Sequence, residues 1–241
     1  MEQEKENILL CSICEGSAIK KHLVGQDHNA TREFFSIVEC ETCGYRFTSP
    51  RPKEKFIGKY YQSKNYISHN ATKKGLINKI YHIVRKYQFY KKNQLIEKYS
   101  KTGGKKILDV GCGTGDFLSY MRHKKWEIDG IEKDKGAKKI AIEKNNIKIS
   151  SNLLSLKEKN MFDVVTMWHV FEHVYETQAY IEKNYKILKD GGVIIIAVPN
   201  CNSYDAQKYK ENWVAYDLPI HVSHFRKADI QNIANKNNLK L

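Results

Sequence analysis

The chain lacks any run of 18 or more apolar residues, which excludes an ordinary membrane-spanning helix. Its acidic, polar start, MEQEKEN, has no apolar stretch of the kind a secretory leader needs. A reduced, cytoplasmic protein is the expectation. In that compartment six cysteines point to metal binding or packing, not disulfides. Acidic residues are scarce in one place only. Residues 53–106 hold 15 Lys/Arg against 2 Asp/Glu, whereas 1–52 hold 6 against 8 and 107–241 hold 20 against 17. The net charge of +14 therefore comes almost wholly from one connecting segment. That excludes a packaging protein basic all over and points to a single basic surface element, although a general Lys, Asn and Ile bias would raise the charge as well.

Four cysteines are paired by spacing. Cys11 and Cys14 stand in CSIC, and Cys40 and Cys43 stand in CETCGYRF. Two such C-x-x-C knuckles make a tetrahedral thiolate site for zinc, with Gly16 and Gly44 suited to the tight turns. Residues 32–39 read as a strand leading into the second pair. A ribbon of this size buries little core, so a metal staple makes sense. With all four positions closed, the metal is structural and not catalytic. Beyond the ribbon, Leu76, Ile80, Ile83, Val84, Tyr87, Leu95, Ile96 and Tyr99 recur at mostly three- and four-residue steps from Lys73 on. They predict an amphipathic helix, broken near Phe89–Tyr90, with a basic opposite face. That face suits a membrane surface, a nucleic acid or a phosphate-bearing substrate, or is simply solvated.

KKILDVGCGTGDFLSYM (105–121) carries the densest signal. An apolar strand, Ile107 to Val110, runs into Gly111-Cys112-Gly113-Thr114-Gly115, and a helix starts near Asp116. Glycines there let the chain turn sharply and let a ligand approach without a Cβ in the way. The spacing departs from the dinucleotide G-x-G-x-x-G. A second strand, WEIDGIE, ends in Glu132, 19 residues after Gly113, where an acid can accept both hydroxyls of a ribose.

With LDVGCGTG and Glu132 in place, the sequence resembles the class I S-adenosylmethionine-dependent methyltransferases over about residues 100–241. It resembles in particular the sugar C-methyltransferase and methyltransferase type 11, 12 and 23 group, and relatives with the same N-terminal four-cysteine ribbon include sugar C-methyltransferases. The resemblance implies that Asp109, Gly111, Cys112, Gly113 and Gly115 line S-adenosylmethionine, that Glu132 holds its ribose, and that Asn152 and Leu153 lie by the adenine. It implies that FDVVTMWHVFEHV is the fourth strand with its following turn, placing Trp168 and His169 beside the cofactor. ILKDGGVIIIAVPN would be a helix end, a glycine turn and the fifth strand. His169-Val170-Phe171-Glu172-His173 also fits H-x-x-E-H, a zinc-protease signature, but the strand-to-helix boundary splits its histidines. Glu172 and His173 are then expected to fix the turn by hydrogen bonds.

NWVAYDLPIHVSHF (212–225) resembles the W…D-x-P-R-H-L-x-H-F segment of those relatives, with Ile220 where they carry Arg. The candidate catalytic bases are His221 and His224; the competing reading makes both structural. The expected architecture is α/β: a doubly wound, mostly parallel Rossmann-like sheet, C-terminally short, preceded by a small zinc ribbon and a helical linker. Its domains are 1–52, 53–101 and 102–241, with Asn237–Leu241 starting a sixth strand after which the last strands are missing. The expected cofactors are S-adenosylmethionine and structural zinc. The expected partner is a small-molecule acceptor, first a phosphate-bearing sugar nucleotide or polysaccharide precursor. A quinone-like or lipidic acceptor met at a membrane surface is the alternative. An RNA-binding or non-catalytic module is a third reading, and no aromatic-interleaved RNA motif supports it.

Overall fold

The computed structural model describes residues 4–61, 76–157 and 159–241. In chain order the strands and helices are β1 (Lys5–Glu6), β2 (Ile19–Gln26), β3 (Phe34–Cys40), β4 (Arg46–Thr48), β5 (Arg51–Pro52), α1 (Leu76–Tyr99), β6 (Lys106–Val110), α2 (Asp116–His123), β7 (Glu127–Ile131), α3 (Lys135–Asn145) and β8 (Ile149–Ser150). There follow β9 (Phe162–Trp168), α4 (Thr177–Ile187), β10 (Leu188–Ala197), α5 (Tyr204–Tyr209), β11 (Ser223–His224) and α6 (Lys227–Lys236). Among the described residues no helix is long and apolar enough to cross a membrane. Contacts group the chain into two compact units. One joins residues 1–70, 171–178 and 198–241; the other holds 71–170 and 179–197. The grouping differs from consecutive blocks cut at 52 and 101, because the ribbon gathers the C-terminal segment to itself.

The second unit is built on a five-stranded sheet in the order β10-β9-β6-β7-β8. Every pairing is parallel. Parallel strands need both faces covered, and β9 (FDVVTMW) accordingly buries six consecutive residues. The order reverses between β6 and β9, and in such sheets ligands bind beyond the strand ends at that reversal. The loop after β6 is the glycine-rich stretch. Ile107, Leu118, Met121, Trp126, Ile128, Ile149 and Val164 fill the core of this unit.

Helix α1 runs unbroken from Leu76 to Tyr99, so the break expected near Phe89–Tyr90 is absent. No proline or glycine lies within it to interrupt the ladder. Lys73, the start of the expected pattern, lies outside the described residues. The inward side also differs from the expectation. Of the stripe, Ile96 is fully buried, while Ile80, Ile83, Val84, Tyr87, Leu95 and Tyr99 are exposed. The helix is held by Phe89, Asn93 and Ile96 instead, with Phe89 packed on Phe117 and Tyr120 at 5.6 and 5.8 Å between ring centroids.

In the first unit β11, β4, β3 and β2 form an antiparallel sheet in that order, and β1 pairs with β5. Ser223 stands opposite Phe47 and His224 opposite Arg46, so residues far along the chain complete the ribbon's sheet. Phe35, Ile37, Tyr60, Tyr216, Leu218 and Ile220 form one core cluster, with Trp213 packed against it. Phe171 stacks on Phe225 with ring centroids 5.2 Å apart. The buried Tyr45 hydroxyl donates to Ser223 Oγ at 2.6 Å. Helix α6 is fastened to both knuckles: Arg226 Nη2 donates to the Cys43 carbonyl at 2.6 Å and Lys236 Nζ to that of Ile13 at 3.3 Å. Arg226 is itself fixed by the fully buried Asp229 carboxylate, 2.6 Å from Nη2 and 2.7 Å from the backbone amide. Removing one partner of such a pair strands the other, so Asp229→Ala is expected to destabilise the chain by about 3 kcal/mol. Denaturant unfolding checks this, with Lys236→Ala, half exposed, expected to cost less than about 1 kcal/mol.

The expected sixth strand at Asn237–Leu241 does not form. The Asn237 and Leu239 amides both donate back to the Ala234 carbonyl, closing the end of α6 as a turn. The free carbonyls of a helix end take up the donors that a strand would have used.

Candidate active site and metal centre

After β6 the backbone turns through Gly111, Gly113 and Gly115 at φ 71°, 54° and 72°, a left-handed region that side chains disfavour. These glycines do different work. A Cβ on Gly111 would stand 2.4 Å from Val170 Cγ2, and one on Gly115 would stand 2.4 Å from Asn145 Nδ2 and 3.1 Å from Ala141 Cβ. Both are close-packing positions. Around a Cβ on Gly113 there is no heavy atom within 4 Å among the described residues. Its open face is the approach a ligand needs. The Gly113 amide donates to Glu132 Oε2 at 2.8 Å, and the Asp134 amide to Glu132 Oε1 at 2.8 Å. Each carboxylate oxygen keeps a lone pair for a further donor. The glycine turn and Glu132 are thus joined directly.

Asp109 is buried beneath this loop and its Oδ1 accepts the Thr166 hydroxyl at 2.6 Å. Burial pushes its carboxyl up to about 6, against the opposing pull of Thr166 and Lys92. Cys112 is also buried, its thiol pushed above the ordinary range by burial and then by Asp109. Its Sγ stands 2.9 Å from where a Gly130 Cβ would be, so the thiol packs inward and only its backbone borders the turn. Asn152 caps its own loop, accepting the Leu154 amide at 2.9 Å, and Leu153 is fully buried. Trp168 ends β9, followed by an exposed His169 at φ 57° whose amide continues the sheet to the Ala197 carbonyl at 2.9 Å. Asp116 accepts the Thr114 hydroxyl at 2.7 Å and pairs with Arg85 and Lys144, tying the loop to α1 and α3.

One group here was not singled out in the sequence. Lys92 places its ammonium 4.4 Å from the Trp168 ring centroid and 5.2 Å from that of Phe117. Burial, then Arg85, lower its pKa while Asp109 opposes them. In a run of lysines it had no mark of its own except its spacing, four before Ile96 and three after Phe89, on the side of α1 that packs.

In the first unit the four cysteine sulfurs converge. Cys11 and Cys43 Sγ lie 3.6 Å apart, Cys14 and Cys40 Sγ 3.5 Å apart, and all four lie within 4.8 Å of one another. A tetrahedron with Zn–S bonds of about 2.3 Å has edges of about 3.8 Å, so the set fits zinc. Gly44 makes the second knuckle's turn at φ 75°, but in the first knuckle Glu15, at φ 62°, takes that place. Gly16 serves packing instead: a Cβ there would stand 2.7 Å from Thr42 Oγ1.

A second group of donors lies in the same unit. Glu172, His173 and His221 bring their ligating atoms within 4.8 Å of one another. His221 Nδ1 is 2.9 Å from the Ala215 carbonyl, which makes it the protonated nitrogen and leaves Nε2, 4.0 Å from Glu172 Oε1, as the basic one. His173 Nδ1 lies 3.2 Å from both the Tyr61 hydroxyl and the Ile220 carbonyl, so it fixes the turn as the sequence suggested. His169 follows β9 and His173 closes the short turn Phe171–His173, so the two do not share one helix as the zinc-protease signature requires. His224 is enclosed: its Nε2 is 3.0 Å from Thr48 Oγ1, whose hydroxyl donates to the His221 carbonyl at 2.8 Å.

Burial drives the His173 imidazole down to about 4, with His221 adding to the effect, and drives His224 well below its ordinary value. The unfolded chain takes up these protons near pH 6.5 and the folded chain does not. Stability present above pH 6.5 is therefore lost on acidification toward pH 4, with a slope approaching about 1.4 kcal/mol per pH unit for each group. Unfolding free energies measured across that window are expected to fall more steeply in the wild type than in His173→Phe.

The profile of a family described as "Methyltransferase domain" matches residues 84–241. The ubiquinone biosynthesis O-methyltransferase of Pelagibacter ubique is 31% identical over 148 residues, 56% of this chain and 62% of that protein. That of Psychrobacter cryohalolentis is 31% identical over 109 residues, 42% of its own length, so the chain spans about half of these relatives. The Rickettsia typhi protein of the same name is 26% identical over 195 residues, 73% of this chain and 76% of that protein. Among solved structures, a SAM dependent methyltransferase from Archaeoglobus fulgidus superposes with a TM-score of 0.51 at 21% identity, covering 63% of this chain and 67% of the other. At that identity the likeness is one of fold.

Proposed function

Because the chain belongs to the methyltransferase domain family, we propose that it moves a methyl group from S-adenosylmethionine to a hydroxyl of a small, quinone-like phenolic acceptor. The observation that carries the reading is the open Gly113 turn hydrogen-bonded to Glu132 at the reversal point of the parallel sheet. When bound, S-adenosylmethionine supplies a methyl group on a positively charged sulfur, an electrophile that needs no metal. The protein's part is to hold and align the reactants. The free lone pairs of Glu132 accept the ribose hydroxyls, and Gly113 admits the methionine portion close to the backbone. Lys92, held by aromatic rings near Asp109, offers a cation to the methionine carboxylate. Trp168 forms part of the wall. Asp109 and Thr166 brace the turn from beneath, and Cys112 and Leu153 contribute backbone and packing.

His221 is assigned the acceptor's proton. Its Nε2 is the basic nitrogen, and the Glu172 carboxylate stabilises the imidazolium that forms. His224, enclosed by Thr48 and Tyr216, is assigned a structural role. Relatives named as O-methyltransferases favour the phenolic acceptor over the sugar nucleotide that the sequence first suggested. The test offers the full chain a catechol with a short isoprenoid tail and, separately, a nucleoside diphosphate sugar, with labelled S-adenosylmethionine. Label is expected in the phenol ether, and His221→Asn is expected to lower turnover about a hundredfold without weakening S-adenosylhomocysteine binding. Label in the sugar alone would reverse the assignment.

A further inference from the structure

Helix α1 presents an aliphatic and aromatic stripe to the outside. Ile80, Ile83, Val84 and Tyr87 are 55%, 67%, 51% and 54% exposed, and their i, i+3, i+4, i+7 spacing sets them along one line. A folded protein seldom leaves such a line uncovered without a use for it. The helix does not need the stripe to stay in place. It is held from its opposite side by Phe89, Asn93 and Ile96 and by the Arg85–Asp116 pair.

We infer that the outward stripe of α1 docks the protein on an anionic lipid surface. The charge of the helix selects this occupant. Its sequence holds Lys79, Arg85, Lys86, Lys91, Lys92 and Lys98 against Glu97 alone, and Lys86 and Lys91 are exposed beside the stripe. A second copy of this chain would bring two helices of the same strong positive charge together, which like-charge repulsion opposes. A nucleic acid would match the charge but offers nothing to cover Ile80, Ile83 and Val84. An anionic bilayer answers both: apolar side chains enter the headgroup boundary while flanking lysines meet lipid phosphates. The helix lies on the surface and does not cross it, in keeping with the absence of a membrane-crossing helix among the described residues. The inference rests on α1 alone and not on the acceptor, so its failure leaves the methyl-transfer reading standing.

The test is co-sedimentation of the full chain with vesicles of phosphatidylglycerol and phosphatidylcholine, or of phosphatidylcholine alone, at low and high salt. Partition is expected to be at least tenfold stronger on the anionic vesicles and to fall with salt. Ile83→Asp with Val84→Asp should cut it at least tenfold, and Lys86→Glu with Lys91→Glu at least fivefold. All variants should bind S-adenosylhomocysteine as the wild type does, which shows that they are folded. A wild-type chain that stays in solution with anionic vesicles would overturn the inference, as would aspartate variants that partition unchanged. So would light scattering that shows a dimer dissolved by Ile83→Asp, since the stripe would then join two copies.

Discussion

Gly113→Val is expected to lower affinity for S-adenosylhomocysteine more than a hundredfold while the chain remains folded. At φ 54° a side chain costs about 1–2 kcal/mol in backbone strain. Among the described residues no heavy atom beyond its chain neighbours lies within 4 Å to be struck, so the loop has room to absorb the branch. That same room is what the ligand needs, and a valine fills it. A hundredfold loss corresponds to about 2.7 kcal/mol, less than the contacts a nucleoside-sized ligand makes through such a turn. Gly111→Ala and Gly115→Ala have the opposite signature. Their new methyl groups meet Val170 and Asn145 at 2.4 Å, so the midpoint of thermal unfolding should drop before ligand affinity is even in question. Calorimetric titration alongside thermal melts separates the two patterns. If Gly113→Val bound normally, the open face of the turn would not be the ligand's.

The second large effect concerns the thiolate cluster. Metal analysis is expected to find one zinc per chain, with Cys40→Ser losing it and destabilising the chain by more than about 3 kcal/mol. Zinc in four-cysteine sites contributes about 10–16 kcal/mol of binding free energy in small domains that have no other core. Here the loss is smaller, since Phe35, Ile37, Tyr60 and Leu218 pack independently of the metal. It is still large because α6 is fastened to Cys43 and Ile13 carbonyls within the knuckles, so their loosening frees the C-terminal helix as well. Chelator-treated wild type should melt like Cys40→Ser. Protein that carries no zinc and melts unchanged would mean the four sulfurs are only packed together.

What the sequence made legible was local. The strand-glycine-helix turn at 107–116, the acid at 132 and the paired cysteines are each fixed by nearby residues, and each appears where expected. What it concealed depended on distant pairing. Nothing in Ser223–His224 announces a two-residue strand, because its stability comes from β4, some 180 positions earlier. Glu172 and His221 meet across 49 positions with no shared motif. Periodicity found helix α1 but not its inward face, because apolar spacing says nothing about which stripe a neighbour covers. The three residues that hold it, Phe89, Asn93 and Ile96, include an asparagine that a hydropathy reading assigns to solvent. The false strand at Asn237–Leu241 arose the same way, since its donors close a helix end that the sequence places immediately before it.

On the proposed reading, Glu132 and the Gly113 turn serve one bound nucleoside. This is tested most directly by calorimetric titration with S-adenosylhomocysteine and with its 2′,3′-dideoxyribose analogue, on wild type and on Glu132→Gln. The wild type is expected to prefer the hydroxylated ligand at least tenfold, two hydrogen bonds to a charged group being worth about 1.5–3 kcal/mol or more together. Glu132→Gln is expected to lose most of that preference while binding the dideoxy analogue as before. A preference that survives the substitution intact would place the ribose elsewhere and contradict the assignment.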